Sequence, residues 1–464
     1  MNKEQGGVGE ALAINGVHYK KKFLRIFKAD FLLPVIGTLL ITFLVKNGPV
    51  RYTDSDPKWN LLLSQSIIGG TFKLDSYASV FNFSNDYKIT VKNGHFHYYY
   101  PPGTPIFSVP FVLIANLLGR DMANLNDNYQ LQKIISAFLC SLIYFILYRI
   151  ARCYLNAVHS FIIVTFSFLG SSLISTMGTA LWSSNFCILF ECIVMLIFAL
   201  NDTGTSRMLN PFLIAFLLFS AFICKPTSAI FIILSFSYIF TKHRNISLKV
   251  FLIALLFFLS FVLFSFVEYG QFLPDYYLPQ CHAHNRNLWL AIKGNLFSPA
   301  RGIFVYSPSF VLVFLGGFYQ FIRYMKIKLF FAIFGLLWFF LYLIVISAAN
   351  NSWWGGHSFG PRLFMEVVPG IILALAILWH VAFMISPRVR KFLAIVFLIL
   401  SAPAVFINTY QGLYNVSAAR WNRDPNIDSY PEYLNDWKYP QFLASEELLK
   451  RRVREHNLKY NIEN

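Results

Sequence analysis

Two aspartates stand one residue apart in the segment Arg51-Tyr-Thr-Asp54-Ser-Asp56-Pro-Lys58-Trp59, directly after the first long apolar stretch of the chain. A carboxylate can take the proton from an attacking hydroxyl, and an apolar surface nearby raises its basicity. Two carboxylates at this spacing can also share a divalent cation, since hard cations favour oxygen ligands. The same residues also fit two solvated loop acids, or Asp54 capping a helix that begins near Pro57.

A second constellation is Asn350-Asn351-Ser352-Trp353-Trp354-Gly355-Gly356-His357-Ser358-Phe359-Gly360-Pro361-Arg362, between two apolar stretches. Its glycines permit tight turns. Trp353 and Trp354 suit a water–lipid interface and could stack on a sugar ring. The planar fork of Arg362 could hold a phosphate through two hydrogen bonds. Glu366, one turn further on the same face, could orient Arg362. The alternative is an interfacial anchor with a structural Arg–Glu pair.

The segment 269–302 carries Asp275, His282, His284, Arg286, Lys293 and Arg301. Two histidines without further ligands are weak grounds for a metal site. Arg301, just before an apolar stretch, is a second candidate for phosphate. Tyr98, Tyr99 and Tyr100 could bind sugar or mark the interface.

The elements that must position these groups are membrane spans. Hydrophobic residues make up 56% of the 464, charged residues only 13%, and mean hydropathy is +0.53. A soluble protein of this size needs more polar surface. Stretches long enough to cross a bilayer fall at 30–46, 131–150, 157–176, 180–200, 209–224, 226–241, 249–268, 303–322, 329–347, 363–384 and 392–408. The run 103–118 is short, carries Pro105 and Pro110, and is read as lying on the membrane without crossing it. With that choice Arg149/Arg152, Arg207, Lys242/Arg244/Lys249, Arg323/Lys326/Lys328 and Arg388/Arg390/Lys391 all share the side of the N-terminus, as the positive-inside rule requires. Lys20, Lys21, Lys22, Arg25 and Lys28 precede the first stretch without a cleavage pattern after it, so it is read as an uncleaved span.

The expectation is eleven spans in one helical bundle in the plasma membrane. Residues 1–29 form a cytoplasmic segment, 30–408 the membrane domain and 409–464 an extracytoplasmic tail. Outer loops fall at 47–130, 269–302 and 348–362, and site chemistry is expected on that face. Within the first of them, Trp59 to Ile68 could lie along the interface as an amphipathic helix.

The net charge of +17 does not imply nucleic acid, because the basic residues sit in short loops beside spans and not in one domain. The six cysteines show no metal-like or disulfide-like spacing. Within the membrane, Glu191 and Lys225 each could line a pathway or belong to a structural pair. No Gly-rich phosphate loop or nucleotide fingerprint is present, which argues against a soluble nucleotide donor.

An N-in bundle of eleven spans with acids opening a large first outer loop, Tyr100-Pro101-Pro102-Gly103 late in that loop, and Trp354-Gly355-Gly356 with Gly360-Pro361-Arg362 resembles the GT-C superfamily of membrane glycosyltransferases. That superfamily includes the polyprenyl-phosphate-sugar enzymes related to protein O-mannosyltransferases and to the aminoarabinose transferase of lipid A. The resemblance implies an all-α, polytopic GT-C-like fold whose first outer loop carries juxtamembrane helices. It implies that Asp54 or Asp56 acts as base or acceptor-binding group. Arg362 and Arg301 would hold the donor phosphate, and Tyr99, Tyr100, Trp353, Trp354, His357 and Glu366 would line the substrate site. The implied partners are a polyprenyl-phosphate-linked sugar, a lipid, glycan or protein acceptor, and membrane lipids; a divalent cation on Asp54 and Asp56 is compatible. Trp353-Trp354-Gly355-Gly356 lacks the acid and tyrosine of the Trp-Trp-Asp-Tyr-Gly motif of the oligosaccharyltransferase branch, which argues for a single-sugar transferase. Two rivals are a lipid-linked-glycan polymerase or ligase, and a polyprenyl-lipid flippase or transporter.

Overall fold

The computed structural model describes residues 29–205, 209–278, 285–316, 330–349 and 351–461. His282 and His284, the basic segment 20–28, and Asn350 lie outside the described residues. Among the described residues helices dominate, and six are long and apolar enough to cross a membrane: α1 (Ala29–Asn47), Leu125–Arg152, Ser183–Asp202, Arg244–Tyr269, Arg362–Ala382 and Pro387–Tyr414. The chain has the architecture of a helical membrane protein. The shorter apolar helices are Gly103–Leu117, Ala157–Leu169, Pro211–Cys224, Pro226–Lys242 and Ile333–Ala349.

The first loop is folded. After α1 a 3-10 turn, Asp56–Trp59, runs into α2 (Asn60–Ile68). Leu61, Leu62, Leu63, Ser64 and Ser66 of α2 are all buried, and Ser64 donates to the Pro105 carbonyl at 2.8 Å. This helix is packed on several sides, which replaces the expectation of an amphipathic helix at the interface. The antiparallel hairpin of β1 (Ile89–Lys92) and β2 (His95–Tyr98) follows. It turns on Asn93 and Gly94, both at positive φ (53° and 80°), the backbone that a two-residue Asn-Gly turn supplies. The run around 103–118 is a helix, α3 (Gly103–Leu117), which packs on α2. A Cβ at Gly103 would stand 2.6 Å from the Cys224 nitrogen, so glycine is what lets α3 approach the end of Pro211–Cys224.

α4 (Leu125–Arg152) starts at Asn124, whose side chain accepts from the Asn126 N–H, and α5 (Ala157–Leu169) at Asn156, which accepts from His159 N–H. These caps satisfy orphan helix N–H groups. α6 (Ser183–Asp202), α7 (Pro211–Cys224), α8 (Ala229–Lys242) and α9 (Arg244–Tyr269) follow, then α10 (Leu288–Phe297), α11 (Phe330–Ala349), α12 (Val368–Ile385) and α13 (Pro387–Val405).

Two of the expected spans are broken. The stretch 157–176 stops as a helix at Leu169, and 303–322 is interrupted at Ser307-Pro308. The breaks meet one another. Ser307 Oγ donates to the Gly170 carbonyl at 2.7 Å. α13 continues as a π-helical segment, Phe406–Tyr414, whose Asn408 donates to the Tyr306 carbonyl at 2.8 Å and accepts from Ser175 at 2.9 Å. Thr409 caps the Leu169 carbonyl at 2.9 Å. Irregular backbone at this depth is tolerable because its polar groups are satisfied inside the protein.

The tail folds over the 351–362 loop and ends in α14 (Glu446–Tyr460). Gln441 ties them together: its Oε1 accepts from Arg301 at 3.1 Å and from Gly360 N–H at 3.2 Å, and its Nε2 donates to the Ala418 carbonyl at 3.0 Å. Arg452 of α14 is buried, with its guanidinium over the rings of Trp421 and Tyr433.

Candidate functional site

Asp56 begins the 3-10 turn ahead of α2, followed by Pro57, whose ring locks its own φ at a helical value. Its Oδ2 forms an ion pair with Arg362, across 306 positions of sequence. Its Oδ1 accepts from the Tyr100 hydroxyl at 2.8 Å, and its carbonyl accepts from the Tyr98 hydroxyl at 2.5 Å. The hairpin delivers both tyrosines, since β2 ends at Tyr98. Arg362 also lies over the ring of Trp182 at 4.0 Å, a cation–π contact. Tyr99 stands edge-on to Tyr100 at 5.4 Å, and Tyr276 closes the group at 5.7 Å from Tyr99 and 5.4 Å from Tyr100. The Asp56 and Arg362 side chains are 21% and 19% exposed, so a ligand can reach the pair.

Burial pushes the Asp56 carboxyl up, but the Arg362 charge and hydrogen bonds from Tyr100, Arg362 and Ser55 outweigh it and hold the group below its ordinary value. Burial and the Asp56 charge drive the Tyr100 hydroxyl far above its ordinary value. Tyr100 is therefore a fixed donor to an ionised carboxylate.

Asp54 is elsewhere. Its side chain is 69% exposed and bound to Lys58 at 2.7 Å and to the Tyr129 hydroxyl at 3.2 Å. The two carboxylates thus serve different partners, because the 3-10 turn begins between them. Among the described residues no three His, Cys, Asp or Glu side chains gather at metal-binding distance.

Glu366 does not orient Arg362 by contact; it pairs with Lys225. Ser184 donates to Glu366 at 2.8 Å and Thr227 at 2.6 Å, while Lys225 also reaches Ser184 at 2.8 Å. The reason is local: Arg362–Val367 is a 3-10 turn, not α-helix, so residues four apart diverge in azimuth. Lys225, at the break between α7 and α8, fills the place opposite Glu366. Glu191 is fully buried, and neither carboxyl oxygen has a hydrogen-bond partner among the described residues.

Arg301 is 1% exposed and has four of its five N–H donors engaged. It donates to the carbonyls of Trp354 at 2.5 Å, Gly356 at 2.6 Å and Ala300 at 2.8 Å, besides Gln441. It shapes the glycine loop from inside, and no free edge is left for a phosphate. Trp353 is buried against Gly294, whose absent side chain makes the room. Trp354 donates from Nε1 to Asp428 at 2.6 Å, and His357 sits 2.8 Å from Asn426 Oδ1 and 3.3 Å from Asp428. Trp354 and His357 therefore fasten the loop to the tail, and Trp353 fastens it to α10.

The structure thus brings together Asp56, Tyr99, Tyr100 and Arg362 of the expected site, and adds Trp182 and Tyr276. Neither addition has a local sequence signal: Trp182 lies in an apolar stretch and Tyr276 beside another tyrosine. Compared with known protein families and with curated proteins, the chain matches none.

Proposed function

We propose that the protein is an integral-membrane glycosyltransferase of the GT-C type, transferring a single sugar from a polyprenyl-phosphate donor to an envelope lipid, glycan or protein acceptor on the extracytoplasmic face. The observation that carries this reading is the reachable Asp56–Arg362 pair, framed by Tyr99, Tyr100, Tyr276 and Trp182. It joins a carboxylate base, a planar cation suited to phosphate, and aromatic faces suited to a sugar. Eleven spans, with the N-terminus in the cytoplasm and loops 47–130, 269–302 and 348–362 outside, complete the proposal.

The resting pair is a stored competition. A donor phosphate entering beside Arg362 takes guanidinium hydrogen bonds that Asp56 holds in its absence. Asp56 then loses the charge that keeps its pKa down and becomes a stronger base. It accepts the proton of the acceptor hydroxyl as that oxygen bonds to the anomeric carbon. The carbon–oxygen bond to phosphate breaks, and polyprenyl phosphate leaves with the electron pair, stabilised by Arg362. Tyr100 keeps the carboxylate aimed throughout. The test is transfer from a radiolabelled polyprenyl-monophosphate sugar by purified protein. Asp56→Asn and Arg362→Lys should each remove it while Asp54→Asn retains it, and full activity in Asp56→Asn would end the proposal.

A further inference from the structure

We infer that Arg51, Tyr52 and Lys133 form a second anion site, separate from the Asp56–Arg362 pair, that takes a phosphate monoester or diester. Arg51 is 8% exposed, yet its only hydrogen bond among the described residues is a long one, 3.5 Å from Nη1 to the Gly412 carbonyl. Its Nε and Nη2 are buried and have no partner. Those two nitrogens make the side-on edge of the guanidinium, the edge that receives two oxygens of one phosphate or carboxylate in parallel. No carboxylate among the described residues pairs with Arg51. A buried cation left like this is costly unless an anion arrives to answer it.

Three further observations converge. Lys133, 6% exposed, spends two of its three N–H groups on the carbonyls of Pro49 and Gly178, each at 3.2 Å, and has no acid beside it. Pro49 is two residues from Arg51, so Lys133 reaches from α4 to the turn that carries Arg51, and the two cations act on each other electrostatically. The Tyr52 hydroxyl is buried without a partner, and Arg51, Arg301, Arg423 and Arg362 all act on it electrostatically. Tyr52 also holds φ at 58°, a backbone that a bulky residue adopts only when its surroundings impose it. Two Arg51 nitrogens, one lysine N–H and one phenol supply four donors, which matches the oxygens of a phosphate. Trp182 is the wall between the sites: Tyr52 packs against it at 6.1 Å and Arg362 lies over it.

An acyl chain has a groove close by, along the two helices that flank the site. A groove of about 690 Å³ runs between α1 and α4, lined by Thr38, Thr42, Ile134, Phe138 and Phe145, with Lys46 at its end. Lys46 is two residues before Gly48, where a Cβ would stand 3.1 Å from Lys133 Nζ.

The experiment is thermal unfolding of the purified full chain, followed by tryptophan fluorescence. One arm adds inorganic phosphate in detergent. The other uses nanodiscs of phosphatidylcholine with and without phosphatidic acid. The wild type should gain stability in a saturable way in at least one arm, and the lipid arm should respond at lower concentration. Arg51→Met should weaken the response at least about tenfold. In phosphate-free detergent it should be no less stable than the wild type, since an unpaired buried charge has gone. Arg51→Lys and Lys133→Met should respond weakly. An Arg51→Met protein that responds like the wild type, or a wild type that responds in neither arm, overturns the site. No transfer assay enters, so the result is independent of the glycosyltransferase reading.

Discussion

At the scale of single residues, the account separates acids and arginines that the sequence presents as equals. Asp54 and Asp56 are separated only by Ser55, yet only Asp56 faces Arg362 and Tyr100. Removing Asp56 as base should lower transfer by about a hundredfold or more, whereas Asp54→Asn should stay within a few-fold of wild type in the same assay. Arg301 and Arg362 part in the same way. Arg301→Met would orphan the carbonyls of Trp354 and Gly356, a cost of about 3 kcal/mol or more. The melting temperature in detergent should fall while the donor KM of the surviving protein holds; a raised KM at unchanged stability would return Arg301 to the phosphate. The types of Arg362, Tyr99 and Tyr100 are legible in the sequence; that they gather about Asp56 is not. Nor is the engagement of Arg301, because the Trp354 and Gly356 carbonyls that hold it come from a loop more than fifty residues away and carbonyls leave no mark on residue type.

At the scale of elements, the hairpin is what brings Tyr98 and Tyr100 to Asp56. Its turn, Asn93-Gly94 between alternating side chains, was a readable signal, hidden in a loop judged mainly by its acids. β2 carries a pH-dependent risk in His97. That imidazole is fully buried, 3.8 Å from Glu268, with Tyr269 beside it and Asp75, Lys73 and His95 acting on it electrostatically. Burial pulls its pKa down to about 4, from about 6.5 in the unfolded chain. The unfolded state therefore binds the proton first. The stability that neutral His97 permits is fully present above pH about 6.5 and declines by about 1.4 kcal/mol per unit toward pH 4. Unfolding temperatures across that range should slope for the wild type and slope less for His97→Phe; identical slopes would show that the hairpin's seating is indifferent to this proton. Gly103 is the corresponding steric constraint. Gly103→Val should push α3 away from Cys224 and cost stability without touching any residue of the site.

At the scale of the whole molecule, apolar content marked nearly every helix, because a window of hydrophobic residues reads the same whether or not the backbone inside it is continuous. That is why 157–176 and 303–322 look like plain spans in sequence. Ser307 answers the Gly170 carbonyl, Thr409 the Leu169 carbonyl and Asn408 the Tyr306 carbonyl across the bundle, and hydropathy does not register such pairing. The seating of the tail on the 351–362 loop through Gln441 was equally invisible, since a buried glutamine looks like a surface one in sequence. Orientation is a prediction of the charge pattern. A cysteine placed at Ser429 should react with an impermeant reagent from outside intact cells, and one placed at Ser386 should be protected until the membrane is opened. The reverse pattern would invert the bundle.

The most direct test of the central claim is transfer from polyprenyl-monophosphate sugars by purified wild type, Asp54→Asn, Asp56→Asn and Arg362→Lys, with folding of each checked by its unfolding temperature. The account predicts transfer by the wild type and Asp54→Asn and its loss in the other two folded proteins. Transfer that survives in Asp56→Asn, or a wild type that uses only diphosphate-linked glycan, would contradict it.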